Sequence, residues 1–174
     1  MRPAVSDPRR SQSEDDFPIP ASVSVNGVEL EVFEAGRQNA GKTVVLCHGW
    51  PEHAYSWRHL MPALVAAGYH VIAPNQRGYG NSSRPAEVAD YDIEHLSGDL
   101  VPLLDHYGYE DATFVGHDWG AIVVWALNLL HPNRVKRVIN RAPRIPSSTT
   151  THFGSSATCI ARTYPQQSLS QVWR

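Results

Sequence analysis

The segment Gly116-His117-Asp118-Trp119-Gly120 has the residue types and spacing of a nucleophile elbow, a sharp strand-to-helix turn that exposes one reactive side chain. It lies between the apolar segments ATFV and WGAIVVWALNLL. Such a turn strains its central residue, and small residues two positions to either side let the strand and the helix approach each other. Gly116 and Gly120 stand at those positions. The pattern predicts that Asp118 is a carboxylate nucleophile, which needs no base for its first attack.

A structural interpretation of the same segment stands beside this one. Aspartate is a favoured residue at the N-cap of a helix, where its side chain accepts a backbone hydrogen bond. Under that interpretation the two glycines mark a tight turn, and Asp118 only caps the helix that follows it.

A second motif, His48-Gly49-Trp50-Pro51, directly follows the apolar segment TVVLC. Trp50 and Trp119 would offer apolar walls and indole N–H donors to a small ligand. We therefore expect substrate contacts from His48, Trp50, Pro51 and Trp119. The alternative is that His48 is a buried histidine bonded to backbone and that Pro51 begins a helix.

The elements that must position these residues begin with a predicted hairpin, ASVSVNGVELEVFEAG, which turns at Asn26-Gly27. KTVVLC and YHVIAP are predicted strands, and the helical segment SWRHLMPALVAAG between them stops at Gly68. The segment QRGYGNSSRPAEV is predicted to be a long surface loop.

Helical spacing of apolar residues predicts a helix over IEHLSGDLVPLLDHYG, with a kink near Pro102. The strand ATFVG, a helix ended by Pro132 and the strand VKRVIN follow. Strands thus alternate with helices from Lys42 to Asn140. This alternation predicts an α/β fold with a mostly parallel sheet and helices on both faces.

Composition places the chain among globular domains, since 42% of its 174 residues are hydrophobic and 18% are charged. We expect a flexible leader over residues 1–20, one core over residues 21–143 and an irregular Ser/Thr-rich tail over residues 144–174. A net charge of -2 gives no field that would gather nucleic acid or a membrane surface. Two cysteines suggest neither a disulfide framework nor a metal site. We expect no signal peptide and no membrane span, because the first 20 residues have no apolar core and no later apolar run approaches membrane-spanning length. A cytoplasmic location is the expectation.

The motifs HGWPEHAYSWRHLMPAL, RGYGNSSRP, DYDIEHLSGDL and GHDWGAIVVW together resemble the epoxide hydrolases of the α/β-hydrolase superfamily, over roughly Val23 to Asn140. The resemblance implies that Asp118 attacks an epoxide carbon to form an alkyl ester. Water activated by a histidine then cleaves that ester. The backbone N–H groups of Trp50 and Trp119 would form the oxyanion hole for this step. The implied substrate is a small apolar epoxide, and no metal or organic cofactor is implied.

The sequence departs from this family after the sixth predicted strand, so the expectation is a truncated α/β-hydrolase fold without the cap domain and the last strands. No Asp or Glu occurs from Trp119 to Arg174. Beyond His131 the sole histidine is His152, and Tyr164 is the sole tyrosine of the tail. We therefore expect the ester on Asp118 to form without turning over, because its hydrolysis needs a base.

A smaller departure is Asn75, where the family often has an aspartate ahead of Gln-Arg-Gly, which puts a local loop contact in question.

Two other functions stay open. A haloalkane dehalogenase would share the aspartate and use Trp119 as a halide donor, although Trp50 argues against it. A non-catalytic remnant or binding module would keep the pocket between the two tryptophans and perform no chemistry. The sequence assigns no oligomeric state.

Overall fold

A computed structural model describes residues 17–141 of the chain, which form a sheet of six strands with helices packed on it. The strands are β1 Ala21–Val25, β2 Val28–Ala35, β3 Thr43–Cys47, β4 His70–Pro74, β5 Ala112–His117 and β6 Val135–Arg141. The helices are α1 Leu60–Ala66, α2 Ile93–Gly98, α3 Leu100–His106 and α4 Trp119–Leu130. The predicted tail over residues 144–174, with His152 and Tyr164, lies outside the described residues.

The sheet has the strand order β1-β2-β4-β3-β5-β6. β1 and β2 are antiparallel, as are β2 and β4, whereas β4, β3, β5 and β6 pair in parallel. The predicted α/β class with a mostly parallel sheet is thus confirmed. Because parallel strands end at the same edge, the segments that follow β3, β4 and β5 lie next to one another there.

The predicted hairpin is confirmed at Asn26-Gly27. Both residues have positive φ angles, 46° for Asn26 and 78° for Gly27, and Val25 pairs with Val28 across the turn. This is the geometry of a two-residue turn whose twist matches that of the flanking strands, and asparagine and glycine are the residues that adopt it most readily. The hairpin places β2 beside β4.

Two helices differ from the sequence prediction in their bounds. α1 begins at Leu60, and a turn of 3-10 helix over Ala54–Trp57 precedes it. The predicted helix around Pro102 is divided into α2 and α3 at Asp99. Proline has no N–H to donate to the Gly98 carbonyl, four residues earlier. The helix therefore breaks where this backbone hydrogen bond is absent.

Apolar side chains cover both faces of the sheet. One cluster joins the hairpin with α3, α4 and the inner face of β5 around Phe114, and the other joins α1 with β3 and β4 around Met61. Phe17 packs against Phe33 and Tyr55, with ring centroids 4.7 and 5.2 Å apart. Packing therefore extends upstream of the boundary predicted at residue 20.

The loop after β4 is only partly a surface loop, which corrects the prediction for QRGYGNSSRPAEV. Its polar residues Gln76, Arg77 and Ser82 are 8%, 2% and 2% exposed. The Arg77 guanidinium donates to both carboxylate oxygens of Asp99, at 2.7 and 2.5 Å, and the hydroxyl of Ser82 donates to the Asn75 carbonyl at 2.6 Å. Because each polar group finds a partner, the loop can be buried at its root.

One side of α4 is exposed although it is apolar. Ile122, Trp125 and Leu129 are spaced along the same face of the helix, and each is 37–43% exposed. Ile139 of β6, the edge strand of the described sheet, is exposed to a similar degree. Within residues 17–141, no helix has the length and the apolar content that crossing a membrane requires.

Candidate active site

Asp118 stands in the turn between β5 and α4 with a strained backbone, at φ 51° and ψ −120°. It occupies the N-cap position of α4, yet its side chain makes no capping hydrogen bond. The capping interpretation of Asp118 therefore does not account for the residue. A non-glycine residue with positive φ that serves no local structural need is typical of a functional position.

The two glycines of the motif are required by close approach of the backbone. A Cβ at Gly116 would lie 2.5 Å from the Cα of Ala121, and a Cβ at Gly120 would collide with the carbonyl oxygens of Cys47 and His48. α4 therefore packs tightly against the ends of β3 and β5. This packing brings Asp118 to the loop that follows β3.

The carboxylate of Asp118 faces backbone N–H groups. The N–H of Trp50 donates to Oδ2 of Asp118 at 3.1 Å. The N–H of Trp119 and then that of Trp50 lower the pKa of Asp118 below its ordinary value. Desolvation opposes them, and the neighbouring His117 adds a lesser lowering effect. Asp118 is therefore charged at neutral pH, in the state that a nucleophile requires.

The loop that carries the Trp50 N–H is fixed by two buried hydrogen bonds between His48 and Gln76. His48 is fully buried, its Nε2 accepts from the Gln76 N–H at 3.1 Å, and its carbonyl accepts from Gln76 Nε2 at 2.7 Å. With Nε2 an acceptor, Nδ1 carries the proton and donates to the Gly49 carbonyl at 3.0 Å. Burial lowers the pKa of His48, which keeps this neutral form.

Two of the four residues expected to contact a substrate line a cavity, and the other two do not. Trp50 and Trp119 line a cavity and are 66% and 59% exposed. The His48 side chain is instead buried among backbone groups, as the alternative interpretation expected. Pro51 is exposed but does not line the cavity, and it does not begin a helix, since the next helical turn starts at Ala54.

The cavity has a volume of about 680 Å³ and mostly apolar walls. Asp118 lies at its edge: Gly49, Trp50 and Trp119, which surround the carboxylate, belong to the lining, whereas the Asp118 side chain does not. The full lining is Gly49, Trp50, Gln76, Arg77, Tyr79, Tyr91, Ile93, Leu96, Trp119, Ile122 and Val123. A cavity of this size with apolar walls is of the kind that holds small apolar molecules.

Sequence reasoning missed the lining residues that follow β4 and those of α2. The sequence prediction places Gln76, Arg77 and Tyr79 in a surface loop and places Tyr91 in no helix or strand. A usable signal was present, because ligands of open α/β sheets bind outside the carboxyl ends of the strands. The loop after β4 begins at that edge, beside the loop after β3.

A histidine next to Asp118 has a carboxylate partner. His117 Nδ1 lies 3.1 Å from Oε2 of Glu52, and both side chains are partly exposed. Neither residue lines the cavity. In the described part of the chain, no group of three or more His, Cys, Asp or Glu side chains could hold a metal ion.

Comparison with known families identifies one model, described as the alpha/beta hydrolase fold, that matches residues 42–167. This match covers well over half of the chain.

Two curated relatives are similar over about 70% of the chain. Epoxide hydrolase A of Mycobacterium tuberculosis is 59% identical over 121 residues, and bifunctional epoxide hydrolase 2 of Sus scrofa is 44% identical over 123 residues. The chain spans 37% of the length of the first and 22% of the length of the second.

Among solved structures, epoxide hydrolase A from Mycobacterium thermoresistibile superimposes with a TM-score of 0.68 at 57% sequence identity. The superposition covers 71% of this chain and 38% of the solved one. The fold is therefore shared with part of the solved epoxide hydrolase A.

Proposed function

The chain belongs to the α/β-hydrolase fold family, and on that premise we propose that it attacks small apolar epoxides through the carboxylate of Asp118. The attack opens the epoxide and leaves an alkyl ester on Asp118. The observation that carries the proposal is the hydrogen bond from the Trp50 N–H to Oδ2 of Asp118, at 3.1 Å.

The geometry supports a nucleophile in three ways. The strained turn holds Asp118 away from a capping role, and its lowered pKa keeps the side chain charged. A carboxylate needs no base to attack a strained ring. The cavity beside it is large enough for a small epoxide and has the apolar lining that such a molecule prefers.

The same N–H groups suit the second step of the reaction. When water attacks the ester carbonyl, negative charge develops on the carbonyl oxygen, which is one of the former carboxylate oxygens of Asp118. The N–H groups of Trp50 and Trp119 would stabilise this oxyanion, as preorganised donors do in acyl transfer.

The second step also needs a base that activates water. Among residues 17–141, no side chain that lines the cavity belongs to His, Asp or Glu. We therefore propose that the ester formed by this chain persists, and that diol is released slowly or not at all.

Mass spectrometry of the purified chain after incubation with styrene oxide tests both statements. We expect the peptide that contains Asp118 to gain the mass of the epoxide and to keep it after the excess reagent is removed. The D118N variant should stay unmodified. The D111N variant, which removes an exposed carboxylate paired only with Lys136 at 3.9 Å, should be labelled like the parent chain. An unmodified Asp118 in a sample with a folded circular dichroism spectrum would contradict the proposal.

A dehalogenase function would use the same carboxylate and release halide from a chloroalkane. The relatives favour the epoxide, since both curated relatives and the solved structure described above are epoxide hydrolases. Halide release faster than epoxide labelling would reverse this preference.

A further inference from the structure

The N–H donor of Trp50 lies between two points at which the loop after β3 is held. Upstream of Trp50, the ring and the carbonyl of His48 are hydrogen-bonded to Gln76 at 3.1 and 2.7 Å. Downstream, Oε2 of Glu52 lies 3.1 Å from Nδ1 of His117. A carboxylate only accepts hydrogen bonds, so Nδ1 carries the proton and donates. The donor is thus held on both sides along the chain.

The hydrogen bond between Glu52 and His117 joins the same two segments as the bond from the Trp50 N–H to Asp118. Glu52 follows Trp50 by two residues, and His117 directly precedes Asp118. The two bonds, each 3.1 Å long, therefore connect the loop and the turn at neighbouring points. A loop that lost the bond at Glu52 would be free to carry its N–H away from the carboxylate.

The backbone transmits the position of Glu52 to Trp50. The Glu52 N–H donates to the Gly49 carbonyl at 3.0 Å, which closes a turn with Trp50 inside it. The same carbonyl accepts from His48 Nδ1 at 3.0 Å, so the upstream and downstream contacts meet at Gly49. The loop also touches the end of β5, since a Cβ on Gly49 would lie 2.8 Å from the His117 carbonyl oxygen.

The exposure of the pair indicates a role other than overall stability. The side chains of His117 and Glu52 are 29% and 40% exposed, and polar pairs so open to water contribute little to folding. Placement is more sensitive, because a shift of about 1 Å in a catalytic group can remove a large part of its effect.

Resting on the proposed function, we propose that Glu52 and His117 are positioning residues that hold the Trp50 N–H against the carboxylate of Asp118. Neither side chain lines the cavity, so neither meets the epoxide. Both act through the Trp50 N–H, which stabilises the negative charge on the carbonyl oxygen when the ester on Asp118 is cleaved.

Hydrogen exchange of the Trp50 amide, followed by NMR of the isotope-labelled chain at one fixed pH, measures this placement without any epoxide. We expect Glu52→Ala to speed exchange at Trp50 by about 10-fold or more, towards the rate in Asp118→Ala, which lacks the acceptor. Exchange at Val45, which is fully buried in β3, should change much less and reports that the fold is intact.

Two glutamate variants separate the hydrogen bond from the charge. Glu52→Gln loses the charge but keeps an acceptor oxygen for His117, so exchange at Trp50 should stay near that of the parent chain. Glu87→Ala removes an exposed glutamate that makes no capping hydrogen bond, and it should match the parent chain as well. His117→Ala should resemble Glu52→Ala, and combining the two should add little, because each removes the same bond.

Cleavage of the epoxide-labelled chain by hydroxylamine extends the test to the chemistry. The hydroxylamine nitrogen bonds to the ester carbonyl carbon of Asp118 and loses a proton to water, while negative charge develops on the carbonyl oxygen. The bond to the diol oxygen then breaks, and that oxygen takes a proton from water. We expect the ester of Glu52→Ala to be cleaved about 10-fold more slowly than that of the parent chain, and that of Glu52→Gln at nearly the parent rate.

The outcomes keep this proposal apart from the proposed function. Unchanged exchange at Trp50 or unchanged ester cleavage in Glu52→Ala would overturn the positioning role, and so would equal effects of Glu52→Ala and Glu52→Gln. Equal acceleration at Trp50 and Val45 would show a loss of stability and overturn it too. A parent chain that no epoxide labels would overturn the nucleophile assignment alone, because exchange at Trp50 needs no ester.

Discussion

The backbone N–H of Trp50 donates to Oδ2 of Asp118 at 3.1 Å across 68 residues of sequence. β3 and β5, which precede the two residues, are neighbours in the sheet and run in parallel, so their carboxyl ends meet. The contact exists because Gly49 leaves room for it.

Gly49→Ala should disturb the site directly. The added Cβ would lie 2.5 Å from the Cβ of Asp118 and 2.8 Å from the His117 carbonyl oxygen, so the loop or the turn must move. We expect a loss of about 1–3 kcal/mol in the free energy of unfolding and a large drop in epoxide labelling of Asp118. Urea denaturation and peptide mass spectrometry measure the two effects.

Gly98→Ala is the matched control, because its new Cβ would meet only the Asn26 side chain at an ordinary 3.7 Å. Alanine also favours the helical backbone by up to about 1 kcal/mol, so this variant should be as stable as the parent chain or slightly more stable. If Gly49→Ala behaved like Gly98→Ala, the close packing of the loop on the turn would be disproved.

The pH dependence of labelling follows from the lowered pKa of Asp118. Hydrogen bonds from Trp119 and Trp50 stabilise the charged carboxylate, so its pKa in the folded chain lies below the unfolded value of about 3.9. The stabilisation is fully present above the unfolded pKa and is lost as pH falls through the folded pKa. The labelling rate should therefore be constant across neutral pH, and the midpoint of its decline should lie below the unfolded value of about 3.9. A decline centred above pH ~5, with circular dichroism still showing a folded chain, would contradict the observed hydrogen bonding.

The ion pair between Arg77 and Asp99 is predicted to be a strong determinant of stability. The two side chains are 2% and 4% exposed, and two hydrogen bonds join them. Asp99→Asn leaves the buried guanidinium without its counter-charge and should cost about 3–5 kcal/mol in the free energy of unfolding. The double variant R77M/D99L removes both charges and should cost less than the single variant, as urea denaturation would show. A double variant that is less stable than Asp99→Asn would contradict this account.

Asn75→Asp is predicted to destabilise the root of the loop after β4. The amide of Asn75 is almost fully buried, accepts from the Ala54 N–H at 2.6 Å and donates to a carboxylate oxygen of Glu31 at 2.6 Å. An aspartate would keep the first bond but set two carboxylates against each other, at a cost of about 1–3 kcal/mol. The thermal midpoint of unfolding should fall.

Restoring a donor should rescue that variant. In the double variant E31Q/N75D, an amide again faces a carboxylate with the roles exchanged, and part of the lost stability should return. The rest stays lost, because the Glu31 oxygen that faces Asn75 also accepts the Asn81 N–H at 3.0 Å. The loop contact at Asn75 is intact in the structure, because the amide of Asn75 matches the carboxylate of Glu31. Equal stability of the single and double variants would show that repulsion is not the cause.

The strands and the Asp118 turn could be predicted because each is encoded locally. The continuous apolar run TVVLC predicts a strand covered on both faces, and glycines two positions either side of Asp118 predict a close turn. Both predictions depend on neighbouring residues alone.

The parts of the site that the sequence does not predict depend on contacts between residues far apart in the chain. Nothing in the alternation of apolar and polar residues relates Arg77 to Asp99, so the burial of the loop root was not predicted. The same holds for His48, whose partner Gln76 is 28 residues away. Tyr79 was missed for this reason, since only the packing of its ring on His48 brings it to the cavity.

The exposure of Trp50 and Trp119 bears on how strongly the turn can stabilise charge. With 66% and 59% of these side chains open to solvent, bulk water reaches the region of the two N–H donors. The effective dielectric constant there is then closer to that of water than to that of a protein interior, and each hydrogen bond to a developing charge is worth correspondingly less. Hydrolysis of the ester on Asp118, the step in which negative charge develops beside the two N–H groups, should accordingly speed up with any change that displaces this water, including a bulkier apolar group on the epoxide that fills the space between the two indoles.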